Sequence, residues 1–304
     1  MRKPRQLVWI LVLLCFFSSM AVTNDVALIT FVPFTFTVLR LIGPEAGRRL
    51  MVPIVVLQTV AANLGSMLTP IGNPQNLYLY GKAGLSLGSF LLLILPFTCI
   101  SFLLILLQST MQTRAYNVPI QVSFHEQVQL WGKEVQLAGY LALFAVDLLT
   151  VARVVPYSLT FCITVIGLLV LDRSIFARVD YSLLLTFVGF FVFIGNMGRL
   201  PVFYEFLQGI VSGHELLAGA AASQIISNVP AALLLSGFTD NLSPLIIGVN
   251  IGGLGTLIAS MASLISYKFV AREEPGMKGP YFRQFTVTNV CFLAVLLVFA
   301  LVLE

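Results

Sequence analysis

Two stretches of the chain, 187 positions apart, read alike. Asn63-Leu-Gly-Ser-Met-Leu-Thr69-Pro-Ile71 stands against Asn250-Ile-Gly-Gly-Leu-Gly-Thr256-Leu-Ile258. At that offset Asn63/Asn250, Gly65/Gly252, Thr69/Thr256, Ile71/Ile258, Leu77/Leu264 and Tyr80/Tyr267 are identical, and Asn73 and Asn76 fall opposite Ser260 and Ser263. Upstream of each stretch a polar tip interrupts apolar sequence, Thr23–Asn24–Asp25 in one case and Ser227–Asn228–Val229–Pro230 in the other. Downstream, Leu87–Leu107 answers Phe285–Leu303. A chain with this order written twice is constrained to fold as two related halves.

The medium is lipid. Of 304 residues, 58% are hydrophobic and only 10% charged, against about 25% charged in soluble domains. A spanning helix needs about 20 apolar residues. Leu216–Ile226 and Ala231–Phe238 are too short to cross, and joined by a polar tip they predict a re-entrant hairpin. Leu7–Val22 and Val26–Leu41 read the same way around Thr23–Asn24–Asp25. Leu137–Ala152, Tyr157–Leu171 and Tyr181–Met197 read as ordinary spans. Irregular backbone at membrane depth survives only when buried in protein or lining a cavity, so the polar tips point inward. The expected fold is an all-α membrane protein with inverted-topology repeats, re-entrant hairpins and broken transmembrane helices. Its parts are a first repeat at 1–108, a loop at 109–134 and a second repeat at 135–304.

The charges agree with this layout. With each hairpin returning to its own side, fourteen of the 17 Lys and Arg fall on one side. Lys82, Arg153 and Arg199 fall on the other. The positive-inside rule then predicts a cytoplasmic amino terminus and a cytoplasmic loop 108–134. The two hairpins enter from opposite sides, which makes the repeats inverted. Basic residues scattered between apolar runs form no patch for nucleic acid. Met1–Gln6 with Leu7–Phe17 also has the shape of a signal peptide, but the recurrence of its polar tip assigns the region to the fold. Three spans precede the second hairpin and none the first, so equal halves would need three more spans at the amino terminus. A truncated chain is therefore one expectation.

Two histidines and four isolated cysteines, Cys15, Cys99, Cys162 and Cys291, offer no hydrolase triad, zinc site or disulfide framework. No enzymatic activity and no organic cofactor are expected. Inverted repeats with interrupted helices mark secondary transporters, whose sites lie at the repeat interface. Where a helix breaks, freed N–H groups attract anions, and freed carbonyls with Asn, Ser and Thr oxygens suit Na⁺. Thr23, Asn24, Asp25, Asn63, Gly65, Thr69, Gly72, Asn73 and Asn76 form one expected half-site. Ser227, Asn228, Asn250, Gly252, Thr256 and Ser260 form the other, with Na⁺ expected at Asn24, Asn63, Asn228 and Asn250. The competing reading of such small-residue runs is a helix-packing seam. Asp25 is a membrane-depth carboxylate, functional by default, and equally a candidate N-cap for the helix that follows.

At Thr23–Asn24–Asp25–Val26–Ala27–Leu28, Asn63–Leu64–Gly65, Thr69–Pro70–Ile71–Gly72–Asn73–Pro74, Ser227–Asn228–Val229–Pro230 and Asn250–Ile251–Gly252–Gly253 the chain resembles the ion transporter superfamily. That group includes citrate transporters, sodium-coupled dicarboxylate transporters, arsenite permeases and one class of sodium–proton antiporters. The resemblance implies hairpin tips and unwound helices that bind ions and substrate, elevator-like movement and a homodimer. The sodium-dicarboxylate branch carries Ser-Asn-Thr at both tips; here they read Thr-Asn-Asp and Ser-Asn-Val, nearer the arsenite and antiporter branches. The expected function is secondary transport of an organic or inorganic anion coupled to Na⁺ or H⁺. A Na⁺/H⁺ antiporter and a non-transporting truncated remnant are the alternatives. Asn63→Ala and Asn250→Ala are each expected to weaken ion-dependent transport without preventing membrane insertion, measured as uptake at matched expression.

Overall fold

The computed structural model describes residues 4–113, 134–179, 181–197 and 199–303. Most of the loop expected at 109–134, with His125, lies outside the described residues. The described residues form fourteen α-helices and short 3₁₀ turns, with no strand among them. They divide into two compact units, 1–122 with 192–304, and 123–191.

In the smaller unit α6 (Glu134–Val151) and α7 (Tyr157–Leu171) run antiparallel. Gly139 meets Leu171, Gly167 meets Leu143, and the Thr150 and Thr160 hydroxyls share a hydrogen bond. Asp147 accepts from the Thr164 hydroxyl at 3.0 Å, which satisfies a carboxylate inside an apolar helix. Val135, Leu141, Phe161, Ile166 and Val170 face outward, as lipid solvation allows. A further helix, α8, covers Tyr181–Met197.

The larger unit holds the hairpin, the break and the last long helix of each repeat. In the first, α1 (Pro4–Ala21) and α2 (Asn24–Leu41) meet at Thr23, α3 runs Pro44–Ser66, a turn at Pro70–Gly72 follows, and α4 (Pro74–Ala83) leads to α5 (Leu87–Thr113). α3 is the core: Ile54, Val55, Leu57, Val60, Ala61 and Leu64 are fully buried, against Leu11, Val12, Cys15 and Phe16 of α1. Gln58 of α3 donates to both Leu11 O at 3.2 Å and Thr35 Oγ1 at 2.8 Å. Those two residues are equally distant from Thr23 in sequence, so α1 and α2 are the antiparallel arms of a hairpin with Thr23 at its tip.

In the second repeat α9 (Pro201–Val211) precedes α10 (Glu215–Ile226) and α11 (Asn228–Leu235), which meet at Ser227. Then come α12 (Leu242–Ile251), an irregular stretch, α13 (Met261–Glu273) and α14 (Lys278–Leu303). The sequence reading passes over α9 and α13. Glu205 and Gln208 interrupt the apolar pattern of the first, and Lys268, Arg272 and Glu273 disguise the second as a loop. α5 and α14 also run beyond the apolar runs that announced them, to Thr113 and from Lys278.

Two contacts recur in both repeats. A Cβ on Gly65 would enter the Phe16 carbonyl and Ser19, and one on Gly252 would enter Ala220 and Ser223. The Thr69 hydroxyl donates to Met20 O at 2.6 Å, and the Thr256 hydroxyl to Gln224 O at 3.0 Å. Phe16/Ala220, Ser19/Ser223, Met20/Gln224 and Thr23/Ser227 share one offset along the hairpins.

The hairpins open toward opposite ends. The base of α2 lies at Arg40, which pairs with Glu273 at the end of α13 at 2.6 Å. The base of α11 lies at Ser236, whose carbonyl and hydroxyl accept from Lys82 at the end of α4. α5 separates these ends. Phe90 near its start packs on Tyr80. Gln108 and Gln112 near its finish line a cavity with Arg283 and Gln284, and Gln284 in turn shares a second cavity with Arg48. Its 27 residues extend about 40 Å. The repeats are therefore inverted in space.

Five helical segments among the described residues are long and apolar enough to cross a membrane: Asn24–Leu41, Glu45–Ser66, Leu87–Thr113, Glu134–Val151 and Pro275–Leu303. Backbone contact at Gly65 and Gly248 leaves no room for a methyl group, since Gly248 sits on the Leu216 carbonyl. Gly65→Ala and Gly248→Ala are each expected to destabilise the fold by about 1–3 kcal/mol. Gly81→Ala, with open space around it, is expected to be neutral or slightly stabilising, all read by thermal unfolding in detergent.

Candidate functional site

Eight helix ends meet at the level of the two breaks. α1, α3, α10 and α12 finish there, and α2, α4, α11 and α13 begin there. In water such ends would be solvated; here side chains of the repeated motifs cap α2 and α4, while α11 and α13 carry no side-chain cap.

Asn63 lies within α3, one turn before its end, rather than beyond it. Its Oδ1 accepts from Asn24 Nδ2 at 3.1 Å and from Ser260 Oγ at 2.8 Å, and its Nδ2 reaches Gly253 O at 3.5 Å. It thus ties the first hairpin tip to the break of the other repeat. Asn250 does the reciprocal work. Its Oδ1 accepts from Asn73 Nδ2 at 3.2 Å, and its Nδ2 donates to Asn76 Oδ1 at 2.5 Å. Asn76 in turn donates to Met67 O and Thr69 O, two carbonyls of the interrupted backbone. Each repeat's helix-borne asparagine therefore crosses to the other repeat's break. Asn24, Asn63, Asn73, Asn76, Asn228, Asn250 and Ser260 are all buried.

The remaining residues of the expected site divide by what they touch. Thr69 and Thr256 spend their hydroxyls fastening each break to its hairpin. Gly65 and Gly252 permit helix contact, and a Cβ on Gly72 would enter the Ser66 carbonyl. Thr23, not Asp25, caps α2: its side chain accepts from Val26 N at 3.3 Å. Asp25 lies in the first turn, where its negative charge favours the helix N-terminus, and its Oδ1 is buried without a hydrogen-bond partner among the described residues. Asn228 donates its backbone N–H to Ala259 O at 2.9 Å. Ser227 between α10 and α11 has φ 73° and ψ 152°, a region that almost only glycine occupies.

Comparison with known proteins agrees with this architecture. The citrate transporter family profile matches residues 1–244. The chain belongs to the citrate transporter family. It is 33% identical over 270 residues to an uncharacterized transporter of Methanocaldococcus jannaschii, covering 88% of this chain and 72% of that one. It is 31% identical over 275 residues to the inner membrane protein YbiR of Escherichia coli, covering 87% and 69%. Sodium/proton antiporter 2 of Arabidopsis thaliana is 28% identical over 269 residues, covering 79% and 61%. This citrate transporter family member is a multi-pass membrane transporter.

Missing from the sequence reading were Gln224 and Ser66. Gln224 Nε2 donates to Gly252 O at 2.8 Å and Leu254 O at 3.0 Å, and its Oε1 accepts from Thr256 N at 3.0 Å. Ser66 Oγ donates to Asn63 O at 2.9 Å and accepts from Asn73. Gln224 sits three residues before the Ser-Asn tip, and that adjacency was its available signal. Strain at Ser227 makes a test possible: Ser227→Gly is expected to raise stability by about 1–3 kcal/mol, and Ser227→Val to lower it, in thermal unfolding.

Proposed function

We propose that the chain is a secondary transporter of a small anion, organic of the citrate or dicarboxylate kind or inorganic of the arsenite kind, coupled to Na⁺ or H⁺. The observation that carries this is the meeting of four helix N-termini and four C-termini around buried carboxamides at the breaks. N-termini direct partial positive charge and N–H donors at an anion. C-terminal carbonyls and the Asn oxygens of Asn24, Asn63, Asn228 and Asn250 are the donor set for a coupling Na⁺. Inversion supplies the alternation: equivalent hairpins reach the same depth from opposite ends, so exchanging their conformations exchanges the side to which the site opens. The positive-inside rule orients the amino terminus and loop 108–134 toward the cytoplasm of a cell (inner) membrane, and the family resemblance supports a homodimer.

One observation favours a second reading. Asp25 holds a buried carboxylate oxygen that no described group satisfies, as a cation–proton exchange site would require, and the Arabidopsis relative is named a sodium/proton antiporter. Thermal unfolding of the detergent-purified chain across a Na⁺ titration, with and without citrate, succinate or arsenite, separates the two. A ligand that binds only the folded state adds about 2.7 kcal/mol at a hundredfold excess over Kd. Na⁺-dependent stabilisation deepened by one anion, and lost in Asn63→Ala, is expected for symport. Na⁺ stabilisation that no anion alters and that disappears in Asp25→Asn would assign exchange instead.

A further inference from the structure

Away from the tips and breaks, the seam between α5 and α14 opens at one end. The two helices run antiparallel, and Phe97 packs edge-on against Phe299 with ring centroids 5.4 Å apart. Counted turn by turn from that contact, Gln108 stands opposite Thr288 and Gln112 opposite Gln284. There a cavity of about 630 Å³ is lined by those four residues with Arg283 and Val287. Pro280 and Gln284 are shared with a second cavity, of about 380 Å³, which Glu45, Arg48 and Arg49 also line.

The charges here are unevenly met. Arg49 is paired with Glu45 at 2.7 Å. Arg48 and Arg283 have no ion pair, and no acid lines the larger cavity, among the described residues. α5 ends where α14 begins, so their helix-end dipoles offset and the guanidinium groups set the sign of the field. Beside Arg283, Gln112 has a carboxamide oxygen buried without a partner among the described residues. The terminal torsion of glutamine is broad, so this group can turn toward a donor in the cavity. The flanks are apolar. Leu103 and Leu107 of α5 and Val287 and Val290 of α14 are exposed, as lipid-facing side chains are. Val287 and Val290 lie about 6 and 10 Å beyond Arg283 along α14. A cation and an unmet acceptor thus stand at the mouth of an apolar seam.

Basic pockets between transmembrane helices at the membrane surface suit anionic lipid headgroups. We propose that this cavity binds an anionic phospholipid with a hydroxyl-bearing headgroup, of the phosphatidylglycerol kind. Its phosphodiester sits on Arg283, a headgroup hydroxyl donates to the Gln112 carboxamide, and its chains follow Leu103, Leu107, Val287 and Val290. A free phosphate would meet Arg283 and leave the apolar flanks unused. Bound there, the lipid joins α5 to α14, whose Tyr281 and Phe285 are buried and whose Tyr281 hydroxyl lies 3.4 Å from Thr59 of α3. The inference needs only that the chain spans a membrane, and it stands apart from the choice of transported ion.

The test follows thermal unfolding of the full chain in detergent during titration with dioctanoyl phosphatidylglycerol, dioctanoyl phosphatidylcholine or glycerol phosphate. Phosphatidylglycerol is expected to raise the unfolding temperature saturably, phosphatidylcholine only at about tenfold higher concentration, and glycerol phosphate not at all. Arg283→Gln is expected to raise the phosphatidylglycerol midpoint about tenfold, the loss of a hydrogen bond to a charged group, and Gln112→Leu by about fivefold. Arg272→Gln removes the same charge from the end of α13, outside the cavity, and is expected to leave the midpoint unchanged. The unliganded transition of each variant shows that it is folded. An equal response to phosphatidylcholine would overturn the proposal in favour of general lipid solvation, and an equal response to glycerol phosphate in favour of a free-phosphate site. The same shift in Arg272→Gln as in Arg283→Gln would reduce it to surface charge. No saturable response of the wild type to phosphatidylglycerol would end it outright.

Discussion

A helix that stops inside a bilayer leaves backbone donors and acceptors where no water can reach them. This chain does so at both hairpin tips and both breaks, and the rest of its structure answers that problem. Thr69 and Thr256 fasten the breaks to the hairpins, Asn76 and Gln224 serve the exposed carbonyls, and glycines bring the helix backbones close enough for such short side chains to reach. α3 is buried almost along its whole length because it must hold one hairpin, one break and the opposite repeat at once.

The same groups that satisfy the breaks also join the repeats. Asn63 and Asn250 each sit on the last turns of a continuous helix and each reach the start of the other repeat's post-break helix. Neither half can complete its own interruption. The two halves are therefore joined at both breaks although the sequence is duplicated.

Much of this was legible in the sequence. The repeat was visible because the breaks are served mostly by Asn, Ser and Thr and approached closely at Gly, and those residues stand out in a 58% hydrophobic chain. Both hairpin tips and both breaks fall where those residues cluster. Helix limits were less legible. Asn63 looks like the start of a loop yet lies within α3, because its polar group finds partners sideways. α13 carries its charges at the end that reaches Arg40, and composition alone turns such a helix into a loop. The cap of α2 was misread because Asp25 and Thr23 are both good caps, and only geometry separates them. The pairing across the repeats could not be read at all, since an offset aligns equivalents, whereas the contacts run between non-equivalents.

The fasteners at the two hairpin bases differ in kind. Arg40 and Glu273 form an ion pair whose arginine is 70% exposed, so dissolved salt competes with it. Lys82 instead closes on the carbonyl and hydroxyl of Ser236, at the negative end of the α11 dipole. Electrolyte thus competes at the first hairpin base, whereas among the described residues the second has no matching ion pair. Two halves alike in backbone are governed by different solutions.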